Sequence, residues 1–324
     1  MGALPEFAFA RPATLAEACA LLAVEGARAV AGGTDLVPNL RRGIERPAQL
    51  VDLGGIAALD RIEERDGALA LGAGVTLARL ADDARIARVL PALAEAARSV
   101  AGPAHRSAAT LGGNLCQDTR CVFYNQSEWW RRANGWCLKR DGDTCHVAPQ
   151  GRRCHAAYSG DLAPVLLAAG AEAETATAAG TRRVPLADLY REDGAAHLTL
   201  APGEIVARVF VPAPTPGRRS GYRKARARGA VDFPLAGVAV VLVVRDGAIA
   251  ELGVGLTGTN SRPFRLAGTE GFVGQPVDDA LLASLAKLIQ KQVSPMRSTV
   301  TQSYYRRQVA SVLAQRLVRE LAAG

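Results

Sequence analysis

No apolar stretch in this 324-residue sequence approaches the ~18–20 residues needed to cross a bilayer, because charge or glycine breaks each run early. The opening segment, Met1 to Arg11, carries Glu6 and lacks a basic region leading into an apolar one, so it does not read as a secretory signal. Residue 6 is neither Ser nor Thr, so Met1-Gly2 does not fit the myristoylation pattern. A cytoplasmic chain is the expectation. Signatures of nucleic-acid recognition are missing. The 39 Lys and Arg, set against 31 Asp and Glu for a net charge of +8, are scattered in pairs such as Arg41–Arg42, Arg131–Arg132, Arg152–Arg153 and Arg306–Arg307. Such scatter describes a solvated surface or a docking face for an acidic protein, and neither nucleic acid nor membrane is an expected partner. The sequence also has no Ser/His/Asp or Cys/His constellation and no paired carboxylates placed for acid–base work. It has no dinucleotide fingerprint of alternating glycines, no C-x-x-C pair and no internal repeat.

What is present is a 49% hydrophobic chain, enough for two or three compact units. Thr14 to Val24 has helical spacing with a capping box in Thr14 and Glu17, and a short strand from Ala27 to Ala31 follows it. Gln49 to Leu53 reads as a strand, and Arg61 to Glu64 with Ala68 to Leu71 as a hairpin across Asp66-Gly67. Leu77 to Asp82 and Ile86 to Val100 read as helices. From Gln117 to His155 the periodicity stops, and all three tryptophans, Trp129, Trp130 and Trp136, fall there, so the stretch reads as an insertion. Helical patterning returns at Asp161 and strand patterning near Ala171. Val211 to Gly217, with three prolines, is the best linker. Beyond it, Gly237 to Val244 and Ala248 to Leu256 flank Asp246-Gly247 as a hairpin, and helices over Asp279–Lys291 and Thr301–Leu321 close the chain. The fold class is α+β.

Two glycine loops share one chemistry. Ala29, Val30, Ala31, Gly32, Gly33, Thr34, Asp35 and Leu36 put two glycines and a hydroxyl directly after a strand, where backbone N–H groups can form an anion-binding nest. Thr110, Leu111, Gly112, Gly113 and Asn114 repeat the pattern. One such loop can be merely a turn, and Asp35 alone can be merely an N-cap; two together point to a phosphate-bearing ligand.

Five of the six cysteines, Cys116, Cys121, Cys137, Cys145 and Cys154, fall within 39 residues. A reducing compartment argues against disulfides. Cys121, Cys137, Cys145 and Cys154 are separated by 15, 7 and 8 residues, which is not a zinc-ribbon spacing. Spacing alone leaves an iron–sulfur cluster, zinc and idle thiols open, and the tryptophans can either exclude water from a cluster or only anchor a long loop.

With Ser159-Gly-Asp-Leu-Ala-Pro164, the two glycine loops resemble those of the flavoprotein subunits of the xanthine dehydrogenase and carbon monoxide dehydrogenase family, over essentially the whole chain. The resemblance implies a two-part FAD-binding domain of the PCMH type, 1–217, with lobes 1–56 and 57–217. A C-terminal α+β domain of antiparallel sheet plus helices, 218–324, follows. By the same resemblance both glycine loops hold the FAD diphosphate, Asp161 contacts the adenosine and ribityl side, Val100 and Val206 line the flavin pocket, and Lys224 of Tyr222-Arg-Lys lies near the ring. The Cys-rich stretch, with Phe123-Tyr-Asn-Gln-Ser and Trp129-Trp130-Arg131, resembles an insertion (117–156) of the 4-hydroxybenzoyl-CoA reductase branch, which implies a [4Fe–4S] cluster on Cys121, Cys137, Cys145 and Cys154. Cys116 competes with Cys121 for the first place. His146 and His155 receive no role.

The implied activity is electron transfer: reduced ferredoxin to cluster, to FAD, to [2Fe–2S] centres in a small subunit, and to molybdenum in a large one, within a dimer of αβγ heterotrimers. Reductive dehydroxylation of 4-hydroxybenzoyl-CoA then occurs at molybdenum, and this chain holds no catalytic residue of its own. The competing expectations are the FAD subunit of another molybdenum hydroxylase, a self-sufficient FAD oxidase, and a zinc-stabilised scaffold.

Overall fold

A computed structural model describes residues 4–324; the reading of Met1-Gly2 lies outside them. The chain first builds a small parallel sheet from β1 (Ala8–Ala10), β2 (Ala27–Val30) and β3 (Gln49–Asp52), with β3 in the centre. Parallel neighbours require crossovers, and the helices Leu15–Leu22 and Leu36–Arg41 supply them. The first begins at a complete capping box, Thr14 accepting from the backbone N–H of Glu17 and Glu17 reaching back.

A second sheet contains β4 (Ile62–Arg65), β5 (Ala68–Gly72), β6 (Glu172–Thr177), β7 (Gly180–Pro185) and β8 (Ile205–Pro212), antiparallel throughout in the order β4-β5-β8-β6-β7. The β4–β5 turn uses Asp66 and Gly67 at φ 54° and 70°, the left-handed pair a two-residue hairpin favours. The single helix expected over Ile86–Val100 is two, Ala84–Val89 and Pro91–Ser99. Leu90 between them adopts φ −151°, ψ 74°. The ring of Pro91 excludes its predecessor from helical geometry and then starts the next helix at a position where no N–H is needed.

The third sheet, β9 (Arg219–Ala225), β10 (Ala236–Arg245), β11 (Ala248–Thr257) and β12 (Phe264–Arg265), is antiparallel in the order β12-β11-β10-β9. Its two faces alternate along β10. Val238, Val240 and Leu242 join a core with Leu285 and Ile289 of helix Asp279–Gln292 and Ala314, Leu317 and Val318 of helix Ser303–Ala323. Ala239 and Val241 instead enter the larger core shared with the second sheet and the helix Leu162–Ala168. That helix lies so close to β11 that a Cβ on Gly255 would fall 1.8 Å from the Pro164 carbonyl oxygen. Only glycine permits the approach, and it places Asp161, at the helix start, against β9.

Among the described residues, no helix is long and apolar enough to cross a membrane.

Candidate functional site

The two glycine loops meet. The first leaves β2 and enters the helix Leu36–Arg41; the second, read from sequence as a loop, is instead the N-cap Thr110 and the short helix Leu111–Leu115, which follows the helix Pro103–Ala108. A Cβ on Gly32 would stand 1.8 Å from the Ala108 carbonyl oxygen and 3.0 Å from the Ala109 nitrogen, so the backbones touch where glycine is the only residue that fits. The second loop is held by Leu111 N donating to Val75 O and Gly112 N to Ala73 O, at 2.9 and 2.7 Å. Thr110 caps its helix by accepting from Gly113 N at 3.1 Å. Asn114 Oδ1 accepts from Leu162 N at 3.1 Å, which ties this loop to the helix that follows Asp161.

A cleft of about 180 Å³ opens beside the contact, lined by Thr34, Asp35, Val100, Gly113, Asn114 and Asp161, with Gln117 and Phe233 among the other walls. It is smaller than the ~300–1,000 Å³ of a typical ligand pocket, so it can enclose part of a dinucleotide and not the whole. The fit to an FAD is chemical as well as spatial. Gln117 is 8% exposed and its Nε2 has no partner among the described residues, a donor awaiting an acceptor. The carboxylates that would repel a diphosphate are all paired: Asp35 with Arg120, Asp161 with Lys224, and Asp232 with Arg228.

Asp161 is the most buried of these. Its Oδ1 accepts from Tyr222 Oη at 2.7 Å and pairs with Lys224 Nζ at 3.0 Å, both from β9. Burial raises its pKa, and Lys224 is the largest influence pulling it back. Asp35 occupies the N-cap position of the helix Leu36–Arg41 but does not cap it. Its carboxylate accepts from Asp118 N at 2.9 Å and pairs with Arg120, so it fastens the first loop to the start of the cysteine insertion.

Of the remaining residues expected at a cofactor, Ala29 and Val30 lie within β2 and Leu36 begins the next helix. Ala31, Gly32 and Gly33 form the turn, and Leu111 and Gly112 the first residues of the helix Leu111–Leu115, behind the lining residues. Lys224 reaches the cleft through Asp161. Val206 lies in β8, 5% exposed in the main core and away from the lining. Gln117 and the 231–233 wall escape sequence reading. Gln117 sits in an aperiodic stretch, and Val231, Asp232 and Phe233 reach the cleft from the C-terminal sheet by a loop with no motif.

The insertion forms a buried cluster of its own. Cys121, Cys137, Cys145 and Cys154 are 7%, 9%, 5% and 5% exposed, and all are free thiols. Cys121, Cys137 and Cys154 pack with Ile44, Tyr124 and Ala156. Cys121 lies within electrostatic reach of Cys137 and Cys145, and Cys154 of Cys145 and Cys121. Burial pushes the Cys121 thiol up to about 11 and that of Cys154 to about 12. Backbone N–H groups already aim at these sulfurs: Phe123 and Tyr124 at Cys121, and Ala156 at Cys154 at 3.4 Å. A tight turn, with Arg140 N donating to Cys137 O and Leu138 N to Thr144 O, both at 2.8 Å, folds the segment between Cys137 and Cys145. Cys116 stands apart, near Tyr158 and Tyr190, its thiol pushed up to about 12 by burial. Among the described residues, no three His, Cys, Asp or Glu side chains converge tightly enough to hold a metal ion. The four thiols share one buried neighbourhood.

A family described as the FAD binding domain in molybdopterin dehydrogenase matches residues 5–214, and one described as the CO dehydrogenase flavoprotein C-terminal domain matches 220–321. The chain is 36% identical over 293 residues to the aldehyde oxidoreductase FAD-binding subunit PaoB of Escherichia coli K12, covering 86% of this chain and 90% of that one. It is 28% identical to the carbon monoxide dehydrogenase medium chain of Afipia carboxidovorans, over 96% of this chain and 95% of that one. A crystal structure of the Cu,Mo-CO dehydrogenase superposes with a TM-score of 0.82 at 26% identity, covering 99% of both chains.

Proposed function

The chain belongs to the FAD-binding medium-subunit family of the molybdenum hydroxylases, the xanthine, carbon monoxide and aldehyde dehydrogenase type, and from that membership together with the four buried cysteines of its insertion we infer an electron junction built on FAD and a [4Fe–4S] cluster. Residues 1–217 form the flavin-binding unit, carrying the insertion 117–156, and residues 218–324 form the unit that closes the cleft. Such a subunit works beside a large molybdenum subunit and a small iron–sulfur subunit.

One observation carries the two-cofactor reading. The anion-suited cleft and the four-thiol pocket are joined by a short polar span, Asp35 to Arg120, the residue immediately before Cys121. Bound in the cleft, FAD supplies the exchange between one- and two-electron steps. This chain's part is to hold the diphosphate with the backbone of Gly32–Gly33 and Gly112–Gly113, donate from Gln117, and keep Asp161 neutralised by Lys224. At the other end, Cys121, Cys137, Cys145 and Cys154 would be the ligands.

For the assembled enzyme, the 36% identity to an aldehyde oxidoreductase subunit favours aldehyde oxidation, with electrons leaving through this chain. The cysteine insertion supports the competing reading, a 4-hydroxybenzoyl-CoA reductase fed by ferredoxin as a dimer of αβγ heterotrimers in the cytoplasm. Supplying the purified complex with an aromatic aldehyde and an acceptor, or with 4-hydroxybenzoyl-CoA and reduced viologen, separates the two by which one turns over.

The test of the subunit's role is composition. Anaerobically purified chain is expected to hold one FAD with about four irons and four sulfides. Cys145→Ser should lose most of the iron while keeping FAD, and Cys116→Ser should keep both. FAD without iron or sulfide in the parent chain would sink the cluster assignment and leave the flavin one standing.

A further inference from the structure

The insertion contains a buried cation that the fold itself leaves half used. Arg131, on the helix Glu128–Ala133, is 2% exposed. Its Nη2 donates to the carbonyls of Arg42 at 3.3 Å and Gly43 at 3.1 Å, while Nε and Nη1 are buried with no partner among the described residues. Arg306 shows how this protein completes a purely structural buried arginine: Nε donates to Leu235 O at 3.0 Å, Nη1 to Met296 O at 2.9 Å, and Nη2 to Gly258 O. Three other arginines have unmet donors, Arg120, Arg208 and Arg218, but each is ion-paired, to Asp35, Glu174 and Glu251 respectively. Among the described residues Arg131 has neither a full set of acceptors nor a carboxylate within ion-pair distance, Glu128 and Asp141 acting on it only from farther off.

It is tied to the thiol cluster through chain neighbours. Gly43, which it holds, precedes Ile44, a member of the hydrophobic cluster that contains Cys121, Cys137 and Cys154. Its own carbonyl accepts from Trp136 N at 2.8 Å, immediately before Cys137, and its guanidinium lies 5.5 Å from the Trp136 ring centroid. Asn125 is a second case. Its Oδ1 accepts from Cys121 N at 2.9 Å, and its Nδ2 is buried and unmet. A buried unmet donor costs ~1–3 kcal/mol, more when charged, so two of them around one thiol pocket ask for an acceptor that the chain does not supply.

We propose that Arg131 is the internal counter-charge of the cluster held by the four cysteines, donating to its sulfur through Nε and Nη1, with Asn125 as a neutral second donor. This rests on the cluster assignment made above. Four thiolates give a [4Fe–4S] centre net negative charge, and reduction adds one electron with no bond broken and no proton moved. A cation enclosed in low dielectric favours that extra charge, so Arg131 raises the reduction potential, and charge and hydrogen bonding to sulfur are recognised levers on it.

The experiment uses the anaerobically purified full chain, titrated with dithionite and followed by electron paramagnetic resonance. Arg131→Lys keeps the charge and should stay within threefold of the parent's reduced-to-oxidised ratio at a fixed potential. Arg131→Met should retain iron and lower that ratio at least tenfold, about 59 mV for a one-electron couple. If Arg131→Met loses iron but keeps FAD while Arg131→Lys keeps both, the charge decides whether the cluster is held, and the proposal stands. An unchanged ratio in Arg131→Met overturns it, as does loss of iron and FAD together in both variants, which marks a structural role. A parent chain without iron overturns the underlying cluster reading, and is seen before any variant is made.

Discussion

Replacing Gly32 by alanine is expected to weaken FAD binding by more than about 100-fold while leaving the C-terminal sheet folded. The added Cβ would stand 1.8 Å from the Ala108 carbonyl oxygen and 2.4 Å from its carbon, and backbone atoms cannot rotate away as a side chain can. The two glycine loops must separate. The first is fixed through Asp35 to Asp118 and Arg120, and the second through Leu111 and Gly112 to the turn after β5, so the strain falls on the cleft between them. Overpacking of this kind costs ~1–3 kcal/mol where neighbours can give, and ~3 kcal/mol corresponds to roughly 100-fold in affinity. Gly271→Ala is the matched control, since its Cβ would meet nothing within 4 Å and its φ is not positive. Fluorescence titration of apo-protein with FAD distinguishes them. Binding by Gly32→Ala within threefold of the parent would show that the loops do not cradle the ligand.

The glycine motifs of the candidate site were legible because they are local: a strand, two glycines and a hydroxyl are adjacent in sequence, and the capping box at Thr14 and Glu17 is equally local. What escaped was assembled by distance. The carboxylate of Asp35 could have capped its own helix; it turns instead to Arg120, and nothing within a few residues of Asp35 announces a partner 85 positions later. Phe233 reaches the cleft from a loop between β9 and β10, and Val206 is in the core because β8 is a central strand, buried on both faces. The split at Leu90 was readable from Pro91, and the apolar spacing on either side obscured it. Cys116 and Cys121, five residues apart, were indistinguishable as ligands by spacing. The fold parts them by turning Cys116 toward Tyr158 and Tyr190 and Cys121 toward the other thiols.

Lys224→Met is expected to destabilise the protein by ~3–5 kcal/mol, the cost of leaving one member of a buried ion pair alone. The Lys224 and Asp161 side chains are 4% and 5% exposed, and among the described residues the only other side chain that hydrogen-bonds the Asp161 carboxylate is Tyr222. The pH dependence follows from the direction of the Asp161 shift. Burial already raises its pKa above the ~3.9 of an unfolded aspartate, and Lys224 is the main opposing influence, so losing the cation raises it further. Between the unfolded and folded values the native state binds a proton that the unfolded state releases, so stability falls as pH rises. The deficit of Lys224→Met against the parent should therefore be smallest near pH ~4 and grow until the folded value is passed, then level off. Adding Asp161→Asn removes the stranded charge and should recover most of the loss at neutral pH. Urea unfolding of the three proteins across this range checks both the size and the slope. Because Asp161 begins the helix Leu162–Ala168 and Lys224 lies on β9, a deficit independent of pH would mean that Lys224 stabilises by packing alone, and that the flavin-binding unit and the C-terminal sheet are not joined by charge at the cleft.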